Sequence, residues 1–429
     1  MRILILSAEG DGLGVAQRLS MEGHSVDLWI KENRFDRAGK GICNRVSTWR
    51  TPLAKADLII CDMVGFGDKE ELFRKMGKPV ISCNKAVESV ELNRRLGMDL
   101  FEKAGISIPE TFKFSKRDEA RDLPSKTDWG LGLVIKPDGN LNTATTMVVK
   151  DKADWDYSLD KIPATASLIV QKVVNGIEIS TEGWFNGRDF IKPFNHTFEE
   201  KRFLAGNLGQ NTGCMGNIVL NAGSGNKLTG NTVEKLTPFL RHVGYRGPID
   251  VNCIVNKDGA FALEFTSRLG YDAIEALLEG LDEPAGDFFF EVAVGIKREM
   301  ALTRDTMMAV RLSIPPWPVS KPKDDEYGEP VIGIDDGVLK HAFITDLYLE
   351  GGKYYTAGGD GVLLKATARG RVQDRMRSGG EKYTDYTREA QRRVYRTLDR
   401  IKVSSKQYRI DIGDRVNDDV AKLKEWGWL

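Results

Sequence analysis

The chain has little cysteine, no long apolar run and no net charge. Its five cysteines (Cys43, Cys61, Cys83, Cys214 and Cys253) are odd in number and far apart in 429 residues, with no CxxC pair. That pattern excludes a zinc ribbon, a thioredoxin-like motif and a disulfide scaffold, and it predicts reduced thiols in a cytoplasmic compartment. No stretch approaches the roughly 20 apolar residues of a membrane span. The opening MRILILSAEG turns polar too soon for a signal peptide. Sixty-two Lys plus Arg balance 62 Asp plus Glu, so no charge signature draws the protein to nucleic acid or membrane. Internal repeats and low-complexity tracts are also absent.

What is present reads as a soluble α/β protein of more than one domain. Strand-like runs at Arg2 to Ser7, His24 to Ile30, Ala56 to Cys61 and Pro79 to Ser82 alternate with helical stretches. Such alternation predicts a small open parallel sheet. The turn Glu9-Gly10-Asp11-Gly12-Leu13-Gly14 has GxGxG spacing, not the GxGxxG of a dinucleotide loop, so a tight strand-to-helix turn is the better reading. A helix is expected from about Ser89 to Ala104, closed by Gly105. Pro315 to Glu329 reads as a surface connection. A helix from Tyr383 to Ile401 carries Arg392, Arg393, Arg396 and Arg400, which read as a solvated face.

Three segments carry chemistry. Gly247 to Arg268 reads as two strands joined at Asn256 to Gly259, placing Asp250 and Glu264 on paired strands. Opposed carboxylates about 5 Å apart repel unless a cation lies between them, and Mg²⁺ takes a few carboxylates plus phosphate oxygens. Leu133 to Gly139 ends a buried-looking strand on Lys136, where an ammonium can meet a polyphosphate. Leu168 to Ser180 runs strand, turn, strand through Gln171, Lys172, Val174 and Glu178, offering an apolar wall and a carboxylate to a nucleoside.

In order and spacing these segments resemble the ATP-grasp carboxylate–amine ligases, and more narrowly the phosphoribosylamine–glycine ligases. Supporting strings are Lys201-Arg202, Asn211-Thr-Gly-Cys-Met-Gly216, Leu263-Glu-Phe-Thr-Ser-Arg-Leu-Gly270, His341-Ala342, Thr356-Ala-Gly-Gly359 and Tyr408 to Gly413. The resemblance implies an ATP-grasp fold in three segments. These are an N-terminal open-sheet domain over 1–105, an ATP-grasp core over 106–300 with a lid at roughly 125–180, and a C-terminal mixed α/β domain over 301–429. It implies ATP with Mg²⁺ (or Mn²⁺) as cofactors, and small-molecule carboxylate and amine partners joined through an acyl phosphate in a monomer or small homo-oligomer. By the same resemblance Lys136 and Lys172 hold phosphates and the adenine edge, with Gln171, Val174 and Asn211 also contacting the nucleotide. Glu178 holds the ribose, and Asp250, Glu264 and Thr266 carry the metal. Arg268 grips the carboxylate or acyl phosphate, so that Arg268 and Lys136 are the catalytic pair.

The departures from the family pattern are specific. Thr266 stands where an Asn is usual, and Asn140 to Thr146 lacks the lysine of the glycine-rich loop. Met98 replaces a helix lysine, with Arg94 and Arg95 one turn earlier as substitutes. Basic groups are also missing at Ala8 to Ala16 and at Gly358 to Leu363. These changes leave two alternatives to the parent reaction. One is the same chemistry on another acceptor, such as a modified nucleoside or nucleic acid, for which the charge gives no support. The other is a non-catalytic paralogue. Cys214 has no histidine near it in sequence, so packing is its expected role.

Overall fold

The computed structural model describes residues 1–82, 84–138, 146–270, 272–319, 327–376, 380 and 382–429. The first strands are β1 (Arg2–Ser7), β2 (Ser25–Ile30), β3 (Asn44–Arg45), β4 (Leu58–Cys61) and β5 (Val80–Ile81). They form a parallel sheet in the order β3-β2-β1-β4-β5. Ile3 to Leu6 and Leu58 to Ile60 are buried on both faces, which is why these strands read as continuous apolar runs. The glycine-rich turn is packed shut. A Cβ on Gly14 would lie 2.8 Å from that of Phe343, and one on Gly10 would lie 2.9 Å from the Thr345 carbonyl oxygen. The glycines admit the chain at 343–345, not a dinucleotide.

The helix expected over 89–104 is two helices, Lys85–Leu92 and Arg94–Lys103. Asn93 leaves the helical region at φ −105°, ψ 101°, and its side chain accepts from the Leu96 amide, an N-cap that restarts the helix. Phe101 of the second helix stacks on Phe265 at 3.9 Å between ring centroids.

Four strands, β6 (Thr111–Phe114), β7 (Leu133–Pro137), β8 (Met147–Val149) and β9 (Leu168–Lys172), form an antiparallel sheet in the order β6-β9-β7-β8. It has its own core around Trp155, Ile135, Leu159 and Val170. This sheet spans 111–172, so it starts before the lid expected at about 125 and stops short of 180. The strand, turn, strand expected from Leu168 to Ser180 is present, and it crosses between sheets, because β10 (Ile177–Asn186) belongs to the large one. Positions 139–145 include most of the loop that lacks the family lysine, so that departure lies outside the described residues.

The large sheet adds β11 (Phe190–Glu199), β12 (Gly216–Gly223), β13 (Arg246–Val255), β14 (Ala260–Thr266) and β15 (Thr306–Ser313). Beyond β16 (Pro330–Val331) come β17 (Ala342–Ile344), β18 (Leu347–Glu350), β19 (Lys353–Thr356) and β20 (Val362–Gly370). The eight-stranded order is β14-β13-β10-β11-β12-β15-β20-β17. The segment 301–429 therefore shares the large sheet with the strands before it. Its strands β15, β17 and β20 complete the large sheet, because β12 would otherwise be an unpaired edge.

The late helix is also shorter than expected. Lys382–Asp385 pairs with Gln373–Met376, and the helix runs Arg388–Arg400. It buries Ala390, Val394 and Leu398, while Arg393 pairs with Glu389 and Arg400 with Asp335 at the surface. Its arginines are thus a solvated face. Among the described residues no helix is long and apolar enough to cross a membrane.

Candidate active site

Alternate residues on a strand share one face, and on β10, β11, β13 and β14 that face is acidic. Glu178, Ser180, Glu182, Thr197, Glu199, Asp250, Asn252, Glu264 and Thr266 all line one cleft of about 1170 Å³. The small sheet and the crossing after it supply the opposite wall, with Lys136, Gln171, Lys172 and Val174. Asn211, Arg268, Arg94, Lys201 and Arg415 complete the lining. Every site residue read from the sequence therefore reaches this one cleft.

The register corrects one relation. Asp250 lies opposite Thr266, and Glu264 lies opposite Asn252. The two acids are diagonal neighbours on one face rather than a facing pair. Asp250 has another carboxylate, Glu182, as its partner on β10. Burial, Glu182 and Glu199 push Asp250 well above the usual carboxylate range, and burial pushes Glu182 up to about 7.

Glu264 is the reverse case. Burial opposes its ionisation, but Lys201, Arg94 and Lys136 outweigh it and hold the carboxyl at about 2. Arg94 Nη1 lies 3.3 Å from Glu264 and Lys201 Nζ 3.6 Å from it. Lys201 also reaches Glu178 at 2.7 Å and Glu199 at 3.5 Å. Burial works against the Lys201 charge, yet Glu178, Glu199 and Glu264 raise it well above an ordinary lysine. The stacking of Phe101 on Phe265 sets the start of the Arg94–Lys103 helix beside Glu264, which is how Arg94 arrives here. Met98 is buried, and Arg95 turns away to Asp138 and Ser115. Of the two expected substitutes, only Arg94 enters the cleft.

Lys136 donates to the Leu263 carbonyl at 3.1 Å, and burial lowers it to about 8. Gln171 donates to Thr111 at 3.0 Å, while its Oε1 is buried without a partner. An orphaned acceptor on the apolar wall fits a base amino group. Lys172 pairs with Glu110 at 2.8 Å. Arg268 Nε is held by Glu91 at 3.1 Å, and Glu91 also takes the Ser267 amide at 2.6 Å.

As to a metal, among the described residues no three His, Cys, Asp or Glu side chains cluster closely enough to hold an ion alone. Mg²⁺ needs no such cage when phosphates supply the remaining oxygens. Asp250, Glu264 and Thr266 are hard oxygen donors on one face, and the buried Oδ1 of Asn252 between them has no partner. This donor set fits.

The deeper end of the cleft passes Gly270 to a cluster of buried charges. Arg311 grips Asp272 at 2.7 and 3.1 Å. Lys365 lies between Asp11 at 2.7 Å and Glu275 at 3.4 Å. Cys214 is fully buried, and burial pushes its thiol well up, so packing accounts for it.

Residues 93–273 match the family described as "Phosphoribosylglycinamide synthetase, ATP-grasp (A) domain". The phosphoribosylamine–glycine ligase of Clostridium acetobutylicum is 24% identical, over 96% of this chain and 99% of that one. The chain is a diverged ATP-grasp ligase. Its fold agrees with the crystal structure of the Thermotoga maritima phosphoribosylamine–glycine ligase at a TM-score of 0.71 and 20% identity, over 96% of this chain and 100% of that one. The N5-carboxyaminoimidazole ribonucleotide synthetase of the same organism aligns at 0.58 and 14% identity, over 94% of this chain and 99% of that one. In this ATP-grasp ligase several cleft residues escaped sequence reasoning. Glu182 and Glu199 were signalled by polar alternation on otherwise apolar strands. Lys201 stood in a family string without a role. Arg415, held by Glu200 at 2.7 Å, carried no local signal.

Proposed function

We propose that this ligase forms an amide from a carboxylate, glycine or another amino acid, and an amine, as the name phosphoribosylamine–glycine ligase states for its relatives. The observation that carries this reading is the single cleft joining Lys136, the acidic sheet face and Arg268. Nucleotide binding falls to Gln171, Val174 and Lys172 at the base, to Glu178 at the ribose and to Lys136 at the phosphates, with Asn211 at the cleft mouth. Asp250, Glu264 and Thr266 would hold Mg²⁺ or Mn²⁺, which when bound neutralises charge on the phosphoryl oxygens.

The substrate carboxylate is gripped by Arg268, whose fork suits two oxygens and whose angle Glu91 sets. A carboxylate oxygen bonds to the γ-phosphorus as the bond to ADP breaks. The amine nitrogen then bonds to the acyl carbon, phosphate leaves with its electron pair, and the nitrogen loses a proton. Lys136 and Arg94 face the charge that gathers on the phosphoryl group. The cytoplasm is the fitting location, since Cys43, Cys214 and Cys253 are free thiols.

The test is ADP release from the full chain with Mg·ATP, glycine and phosphoribosylamine, supplied separately and together. Release that needs both substrates supports the reading. Release with glycine and a different amine moves it to another acceptor. No release and no nucleotide binding overturns it.

A further inference from the structure

A second cavity, of about 270 Å³, lies at the far end of β10 and β13, walled by Asn186, Arg188, Arg246, Val294, Ile296 and Arg298 among others. Asn186 and Arg246 are register partners, four residues along both strands from Glu182 and Asp250. That is about 13 Å of extended chain, and the two cavities share no lining residue.

Three guanidiniums line this small space, and none has a carboxylate partner among the described residues. The acids Asp189, Glu283 and Glu291 nearby are already engaged. Arg241 holds Asp189 at 2.7 Å, and Lys297 holds Glu283 and Glu291. Among the described residues, Arg298 donates only to the carbonyls of Gly295 and Lys297, at 3.4 and 3.5 Å.

Arg246 is the most constrained of the three. Its Nη1 donates to the Ala293 carbonyl at the end of the Ala285–Val294 helix. Its Nε is buried with no partner. Nε and Nη2 form one edge of the guanidinium, and with Nε buried it is Nη2 on that edge that is left to meet an anion. Gly187 and Gly295 flank that edge, both at positive φ, and a Cβ on them would come 3.1 Å from Nε and 3.4 Å from Nη2. Backbone without side chains thus lies against the guanidinium. Burial and the neighbouring Arg74 and Arg188 charges lower the Arg246 pKa, the mark of a place short of negative charge.

We propose that this cavity binds a small phosphate-bearing anion, either inorganic phosphate or the phosphoryl group of a phosphomonoester. A dianion brings two charges and at least three acceptor oxygens to the three guanidiniums, whereas a monocarboxylate brings one charge and two oxygens. The space suits a phosphoryl group with a few attached atoms.

The test is titration calorimetry of the full chain at constant ionic strength, with inorganic phosphate, glycerol 3-phosphate and acetate as probes. The double variant Arg188→Gln/Arg298→Gln changes two exposed side chains that bond no other side chain, so it folds. It is expected to lose phosphate affinity by about tenfold or more, while Lys136→Met, in the large cleft, retains it. Glycerol 3-phosphate binding tighter than phosphate assigns the site to esters, and equal binding assigns it to the free ion. Unchanged affinity in the arginine variant, affinity lost only with Lys136→Met, or acetate binding as tightly as phosphate overturns the proposal.

Discussion

Lys201 Nζ lies 2.7 Å from Glu178 Oε1, and the same ammonium is 3.6 Å from Glu264. One lysine therefore ties together two carboxylates that the functional reading assigns to separate tasks, the ribose and the metal. Without it, Glu178, Glu199 and Glu264 face one another across a half-buried space. Lys201→Met is expected to destabilise the protein by about 1–3 kcal/mol, discounted because the group is partly exposed. The same variant should bind Mn²⁺ more tightly in the absence of nucleotide. Equilibrium urea unfolding and Mn²⁺ titration followed by electron paramagnetic resonance measure the two effects. Weaker Mn²⁺ binding would show that Lys201 does not compete with a cation.

Glu264→Gln removes the charge that Arg94, Lys136 and Lys201 all face while keeping the side-chain shape. ADP release should fall at least about 100-fold, with the circular dichroism spectrum and unfolding midpoint close to those of the parent. Full activity in this variant would end the metal assignment.

Lys136 provides a pH test. Burial lowers it to about 8, below the roughly 10.4 of an exposed lysine. Between those values the unfolded chain holds more protons than the folded one, so this group's contribution to stability rises with pH across that window. Below it, the buried charge is a cost. Lys136→Met should therefore be more stable than the parent at about pH 7, and the advantage should shrink toward about pH 10. The variant should also need more ATP for half-saturation. A stability difference independent of pH, measured by urea midpoints, would contradict the burial of this charge.

Arg311 and Asp272 form a buried two-point pair. Removing one partner strands the other charge, so Arg311→Met should cost about 3–5 kcal/mol. Adding Asp272→Asn removes the stranded charge and should restore part of the loss. Asparagine also tolerates the left-handed backbone at 272, where φ is 57°. Additive losses in urea unfolding would show that the two side chains act independently.

Legibility in the sequence followed the range of the interaction. The N-terminal strands could be read because runs such as Leu58 to Cys61 are buried on both faces, and burial leaves an apolar run. Lys136, Asp250 and Glu264 could be read because each interrupts such a run at a strand position. The break at Asn93 was missed, although an asparagine able to cap a restarted helix was present. The diagonal placement of Asp250 and Glu264 was missed because hairpin register depends on the bulge after Asn252, which one strand's composition does not reveal. The unpaired arginines around Arg246 gave no signal, since their meaning lies in acids taken up by other partners.

The sequence by itself determined most of the element types, the ATP-grasp character and the candidate residues of the cleft, because periodicity and motif are properties of neighbours along the chain. Only the tertiary structure decided that strands from 301–429 complete the large sheet, that Lys201 joins Arg94, and not Arg95, in countering the acids, and that Glu91 aims Arg268. Charges act over a few ångströms of space whatever their separation in the chain. Which lysine meets which carboxylate is therefore set by sheet order and register, after every residue type is already known.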